Sequence, residues 1–117
     1  MAAQSIVGET SQTFAKRIAK CYVFLKEKKG ETVISKQLLR CGTSIGANVR
    51  EGQYAQSKKD FISKMNIALK EAGETDYWLE VIHSAGYFTD EEYSSLDADN
   101  KELLRLLAAI VKTSKEK

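Results

Sequence analysis

Few residues in this chain are of types that do chemistry. The one histidine, His83, follows Glu80 by three positions, and Glu-x-x-His is the spacing that offers a carboxylate and an imidazole from one helix to a di-iron centre. Such a centre needs two of these motifs and further carboxylates, whereas the sequence holds one. Glu71 and Glu74 share a helix face with Lys64 and Trp78, which turns that face outward and removes both as ligands. The expectation is therefore no metal site, with His83 a core-edge residue that has a hydrogen-bond partner. No nucleophile is spaced to work with His83. No glycine-rich phosphate loop or zinc-like Cys/His spacing occurs. No cofactor is expected.

Cys21 and Cys41 each lie about ten residues from Gly30, so a helical hairpin turning there places them at one level. In a reducing compartment they read as small core hydrophobes, with a redox pair as the sharper alternative. Ser44, Asn48 and Glu51, together with Gln37, form a polar stripe that resembles a cleft. Without a histidine, metal or strong nucleophile it makes a poor catalytic set, and a hydrogen-bond network that sets helix packing is the better reading. The chain is expected not to be an enzyme.

The elements that carry these residues follow from hydrophobic period. From Ile34 onward, winding at about 100° per residue sorts the chain into three stripes. Ile34, Leu38, Cys41, Ile45 and Val49 are apolar; Ser35, Leu39, Gly42, Gly46 and Gln53 are mostly small; Gln37, Ser44, Asn48 and Glu51 are polar. A helix with three differentiated faces is expected to have neighbours on several sides. Opposite the apolar stripe run Lys36, Arg40, Thr43, Ala47, Arg50 and Tyr54, a basic line with one aromatic that suits phosphates and a stacked base.

A helix of about residues 10–28 precedes this one, with Phe14, Ile18, Cys21 or Tyr22, and Leu25 as its core stripe and Lys16, Arg17 and Lys20 among its cations. Gly30 suits its end, and Thr32 is the expected cap of the helix over 33–55. Ser57 with Asp60 forms a capping-box pattern that opens a third helix, 58–85. One face of it holds Phe61, Met65, Ala68, Leu69, Ala72 and Leu79. The adjacent face holds Lys64, Ile67, Glu71, Glu74, Trp78 and Ile82, a mixture typical of protein contacts. Asp76, at the edge of the apolar face, needs a polar partner. Gly86 closes this helix, and Thr89 with Glu92 opens a fourth, 90–113, with Phe88 and Tyr93 as a hydrophobic staple. Its stripe of Leu96, Leu103, Leu107 and Ile110 is widened by Leu104, Leu106, Ala109 and Val111, too broad for one small bundle to bury. A frayed tail is expected from Lys112.

Short connections between four such helices predict an all-α, antiparallel up-down-up-down bundle, one domain over 1–117. Hydrophobic residues at 43% and charged residues at 29% suit a folded domain, and the absence of proline suits unkinked helices. With neither a membrane-length apolar run nor a signal-peptide pattern, the expected compartment is the cytoplasm. Net charge is +2, but it is uneven: residues 1–57 carry nine Lys/Arg against four Asp/Glu, and residues 58–117 nine against twelve. Such asymmetry steers a polyanion to one face, or one protomer onto another.

Ser35 to Glu51, Gln56-Ser57-Lys58-Lys59-Asp60-Phe61-Ile62-Ser63-Lys64, Ile67 to Ala72 and Glu74-Thr75-Asp76-Tyr77-Trp78-Leu79 closely resemble the four helix bundle protein family. Its members are also called 23S rRNA-intervening-sequence proteins or S23 ribosomal proteins. The resemblance covers nearly the whole chain, with Cys41 in place of an expected serine and Gly73 in place of a polar residue. It implies a left-handed bundle that assembles into a five-fold ring. It is also similar to the accessory protein of diversity-generating retroelements, a basic pentameric barrel that binds nucleic acid. Some members are encoded within insertions in large-subunit ribosomal RNA genes, a genomic position rather than a biochemical activity.

The expectation is thus a non-enzymatic homo-oligomer, a pentamer by resemblance, that contacts RNA or a ribonucleoprotein through Lys16, Arg17, Lys20, Lys36, Arg40 and Arg50. Ser44, Asn48, Glu51, Glu71, Glu74 and Trp78 form its oligomer interface or packing network. A scaffold that recruits a protein partner, with the basic face merely solvated, is the alternative. A bundle metalloenzyme around Glu80 and His83 is the remote one.

Overall fold

The computed structural model describes residues 2–115, with side chains from Ile6 onward. Those residues form four helices, α1 (Ala2–Lys29), α2 (Ile34–Gln53), α3 (Lys58–Ser84) and α4 (Asp90–Lys115). A helix of 28 residues is about 42 Å long, and the molecule measures 46 × 21 × 19 Å, so α1 runs nearly its full length and the 20-residue α2 is the shortest of the four. Each packs on its neighbours in sequence, and α1 also meets α4, closing the bundle. That α1–α4 seam is the least extensive of the four. The backbones of the diagonal pairs do not come close among the described residues. This is the all-α antiparallel four-helix bundle that the apolar periods predict.

The core is built from the expected stripes. Phe14, Ile18 and Leu25 of α1, Leu38, Cys41, Ile45 and Val49 of α2, Met65, Ala68, Ala72 and Leu79 of α3, and Leu103 and Leu107 of α4 are all buried. Ile82, placed by its spacing on the flank with Trp78, is fully buried and belongs to this core. The small stripe of α2 faces α1. A Cβ at Gly42 would meet Ile18 at 3.0 Å, and one at Gly46 would meet the Ser11 carbonyl at 3.1 Å. The two helices approach closely because these positions carry no side chain.

The helix ends differ from expectation in three places. α1 begins at Ala2 rather than near Thr10, because Val7 and Ser11 are buried within the bundle and sustain the extra turns. The cap of α2 is Glu31 and not Thr32. Its carboxylate accepts from the backbone N–H groups of Val33 at 3.2 Å, Ile34 at 2.9 Å and Ser35 at 2.8 Å, while Ser35 Oγ returns a bond to the Glu31 carbonyl. A glutamate has the reach to serve several of the donors that a helix start leaves open. α4 runs to Lys115 with Val111 buried, so the segment from Lys112 is solvated helix; residues 116 and 117 lie outside the described residues.

The other ends follow the expected chemistry. Ser57 accepts from Asp60 N, and Thr89 and Glu92 exchange both bonds of a capping box. Gly30 and Gly86 take φ of 66° and 89°, left-handed values that cost glycine nothing. At Gly86 the bonds from Gly86 N to His83 O and from Tyr87 N to Ile82 O close the end of α3 as a Schellman turn.

Candidate interaction surfaces

The polar stripe of α2 and the tryptophan face of α3 meet along one seam. Antiparallel packing brings Arg40 opposite Glu71 and Glu74, and its guanidinium pairs with both, with Glu71 at 3.5 Å. Trp78 Nε1 donates to Glu74 Oε2 at 3.0 Å. Ser44 Oγ donates to Glu71 at 3.2 Å, and Asn48 Nδ2 donates to the Ser44 carbonyl at 2.9 Å and to its Oγ at 3.1 Å. At the far end Lys64 pairs with Glu51 at 3.0 Å. Ser44, Asn48, Glu71, Glu74 and Trp78 therefore share one network with Arg40 within the chain, and Glu51 forms a separate pair with Lys64. The Arg40 and Trp78 hydrogen bonds hold the Glu74 carboxyl below the usual carboxylate range, and the bond to Glu74 raises Arg40 in turn. Apolar groups stand exposed on the same side of α3: Tyr77 is 58% exposed and Ile67 37%.

The six cations chosen from sequence separate into two kinds. Arg40 is engaged in the network just described. Arg17 reaches across the α1–α4 seam to Asp99 at 2.6 Å and donates to Ser95 Oγ at 3.0 Å. Lys16, Lys20, Lys36 and Arg50 form no ion pair among the described residues and are exposed. Lys26, Lys28 and Lys29 share that condition on α1. Arg50 also lines a shallow groove of about 220 Å³ between α1 and α2, floored by Gly8, Ala15, Thr43, Gly46 and Ala47.

Neither cysteine has reactive character. Cys21 lines a groove of about 280 Å³ between α1 and α4 with Phe24, Phe88 and Leu96. Burial pushes its thiol up to about 11, with Glu92 adding to the shift and Arg17 opposing it. Cys41 is fully buried and donates to the Leu38 carbonyl; burial raises its thiol as well. Both are free thiols, and at neutral pH both stay protonated.

His83 stacks on Tyr93 with ring centroids 4.2 Å apart, and its Nε2 lies 2.8 Å from Asp90 Oδ1 across the α3–α4 turn. Glu80 is exposed. No cluster of three or more His, Cys, Asp or Glu groups fit to hold a metal occurs among the described residues. Asp76 takes Lys101 as its partner at 2.7 Å, and Lys101 also reaches Asp97 at 2.8 Å, which raises the lysine's pKa. The sequence reading missed Glu31 and Asn100. Asn100 is fully buried, and its spacing with Leu96, Leu103 and Leu107 is the signal that could have placed it inward.

Fold and surfaces together define a small four-helix bundle with a charged seam between α2 and α3. Among the described residues no helix is long and apolar enough to cross a membrane. The 23S rRNA-intervening sequence protein family matches residues 3–109, and the chain belongs to that family. A crystal structure of a protein with unknown function from the S23 ribosomal protein family of Bacteroides thetaiotaomicron VPI-5482 is similar throughout. The two share 51% identity over 94% of this chain and 98% of that one, with a TM-score of 0.92. A comparison with the curated proteins found no match. Neither the family nor this structural relative indicates an enzyme.

Proposed function

We propose that this chain is a non-enzymatic, ring-forming interaction protein that contacts RNA or a ribonucleoprotein through the outer faces of α1 and α2. The observation that carries this reading is the way the fold distributes its ion pairs. The acids of α3 and α4 neutralise Arg17 and Arg40, the cations nearest to them. Lys16, Lys20, Lys26, Lys28, Lys29, Lys36 and Arg50 stay unpaired among the described residues of α1 and α2, against the exposed carboxylates Glu9 and Glu27. A surface of that kind attracts a polyanion by counterion release. The contact set is therefore Lys16, Lys20, Lys36 and Arg50 from the original six.

The ring, five-fold by family resemblance, is proposed to use the α3 side that carries Trp78, Tyr77 and Ile67. Exposed aromatic and aliphatic groups beside a satisfied polar network suit a protein contact. Light scattering at micromolar concentration tests this, and a monomer overturns it. The RNA reading is tested by binding of structured RNA over a salt series. Affinity is expected to fall steeply as salt rises and to weaken when Lys16, Lys20, Lys36 and Arg50 are changed together to glutamine. Undetectable affinity at low ionic strength removes the RNA part and leaves the scaffold for a protein partner.

A further inference from the structure

We infer that Asn100 is a rotational lock that holds α4 in one setting on α3. Its side chain is fully buried, and Nδ2 donates to the Ala72 carbonyl of α3 at 3.0 Å. Its Oδ1 has no partner, the one such buried side-chain atom among the described residues. Nearby polar side chains of the core spend their protons on their own helices: Thr75 Oγ1 donates to Glu71 O and Cys41 Sγ to Leu38 O. The Asn100 bond is thus a buried side-chain bond that crosses from α4 to the backbone of α3. An amide with half its capacity unused is a poor way to gain stability, so what it contributes is geometric.

Geometry is what α4 otherwise lacks. Its apolar face is broad: Leu103, Leu107, Ile110 and Val111 are buried, while Leu104 and Leu106 are half-buried beside them. Turning the helix by a few tens of degrees about its axis exchanges Leu103 and Ile110 for Leu104 and Val111 and changes hydrocarbon burial little. A turn by a whole residue is already opposed by Asp97 and Lys101, which it would bring to the core. The turn at Gly86 tethers the start of α4 and limits sliding, but Asn100 lies ten residues beyond Asp90, about 15 Å along the axis. The ion pairs there, Lys101 to Asp76 and Arg17 to Asp99, are surface pairs of long side chains and hold rotation weakly. Rotation by even a few tens of degrees takes the amide off the Ala72 carbonyl and leaves both of its ends unsatisfied. A single buried asparagine is a known means of choosing one packing among near-equals. The lock keeps Leu104, Leu106 and Ala109 toward the outside of the bundle.

The test is two variants, Asn100→Leu and Asn100→Ala, in the full chain, with ¹⁵N-labelled amide spectra and hydrogen exchange. Doubled or broadened resonances are expected for residues 103–111 in both variants, with exchange there roughly tenfold faster than in the parent at unchanged helix content. One sharp set of resonances in either variant overturns the inference, and a lower melting point alongside it marks Asn100 as a merely stabilising contact. Failure of both variants to fold overturns it too, because a choice among packings is not a condition for folding.

Discussion

Trp78 donates its indole N–H to Glu74 one turn earlier on α3, and the carboxylate oxygen that receives it is the one that pairs with Arg40 of α2. One oxygen thereby ties the indole to the neighbouring helix. Glu74→Ala is expected to cost about 0.5–1 kcal/mol, the modest worth of a partly exposed pair, and to shift Trp78 emission to the red. Urea unfolding and emission spectra measure the two. The Glu74 carboxyl is held below its ordinary value, so its contribution is present above that value and is lost as pH falls through the folded one.

Glu31 gives a sharper pH signature because it is buried and caps α2. Burial acts to raise its carboxyl, but the bonds from Ile34, Ser35 and Val33 outweigh that and the net direction is down from 4.5. Glu31→Ala is expected to cost about 1–2 kcal/mol at neutral pH. The stabilisation is fully present above pH 4.5 and fades below it. The stability gap between parent and variant, followed by urea unfolding from pH 7 to pH 3, should narrow in that acid range.

Two glycines inside helices should respond in opposite directions. Gly42→Val places a branched side chain against Ile18, where a Cβ alone sits at 3.0 Å, and is expected to destabilise by about 1–3 kcal/mol. Gly73 is exposed with nothing within 4 Å of its Cβ position, so Gly73→Ala should stabilise by about 0.5–1 kcal/mol. Thermal melts of both variants check the pair.

Separating the paired from the unpaired cations predicts different losses. Arg17→Gln and Arg40→Gln remove interhelical ion pairs and should lower stability by up to about 1 kcal/mol with little effect on RNA affinity. Lys20→Gln and Lys36→Gln should leave melting unchanged and each reduce the salt slope of RNA binding by about 1. Melting curves and salt-dependent binding on the four variants decide between these roles.

The thiols should be slow. With Cys21 at about 11 against an ordinary 9.0, its thiolate fraction at pH 8 is reduced roughly a hundredfold. Native protein is expected to react with a disulfide reagent correspondingly slowly, and Cys41 to react only on unfolding. Rapid native labelling of either would contradict the burial described.

Much of the architecture was legible because helix formation obeys a local period. Leu38, Cys41, Ile45 and Val49 recur every three or four residues, so one face had to be inward whatever lay opposite. Ser57, Thr89, Gly30 and Gly86 act within a few residues of themselves, and their capping roles could be read directly. The misses have the same explanation in reverse. Glu31 caps α2 from beyond the usual position, and Val7, seven residues before Phe14, continues the core stripe of α1 into a segment whose polar residues obscure the period.

The surface was less legible than the core. That the chain is all-α, where its helices turn and which stripes face inward could be read from the residues alone, since these depend on contacts within a few residues. Helix packing is what assigns Arg40 to Glu71 and Glu74 and Arg17 to Asp99, leaving Lys16, Lys20, Lys36 and Arg50 unpaired among the described residues. Those pairings span 31 to 82 positions. A cation's partner at such separation is set by how helices pack in space, and helical period carries no record of it.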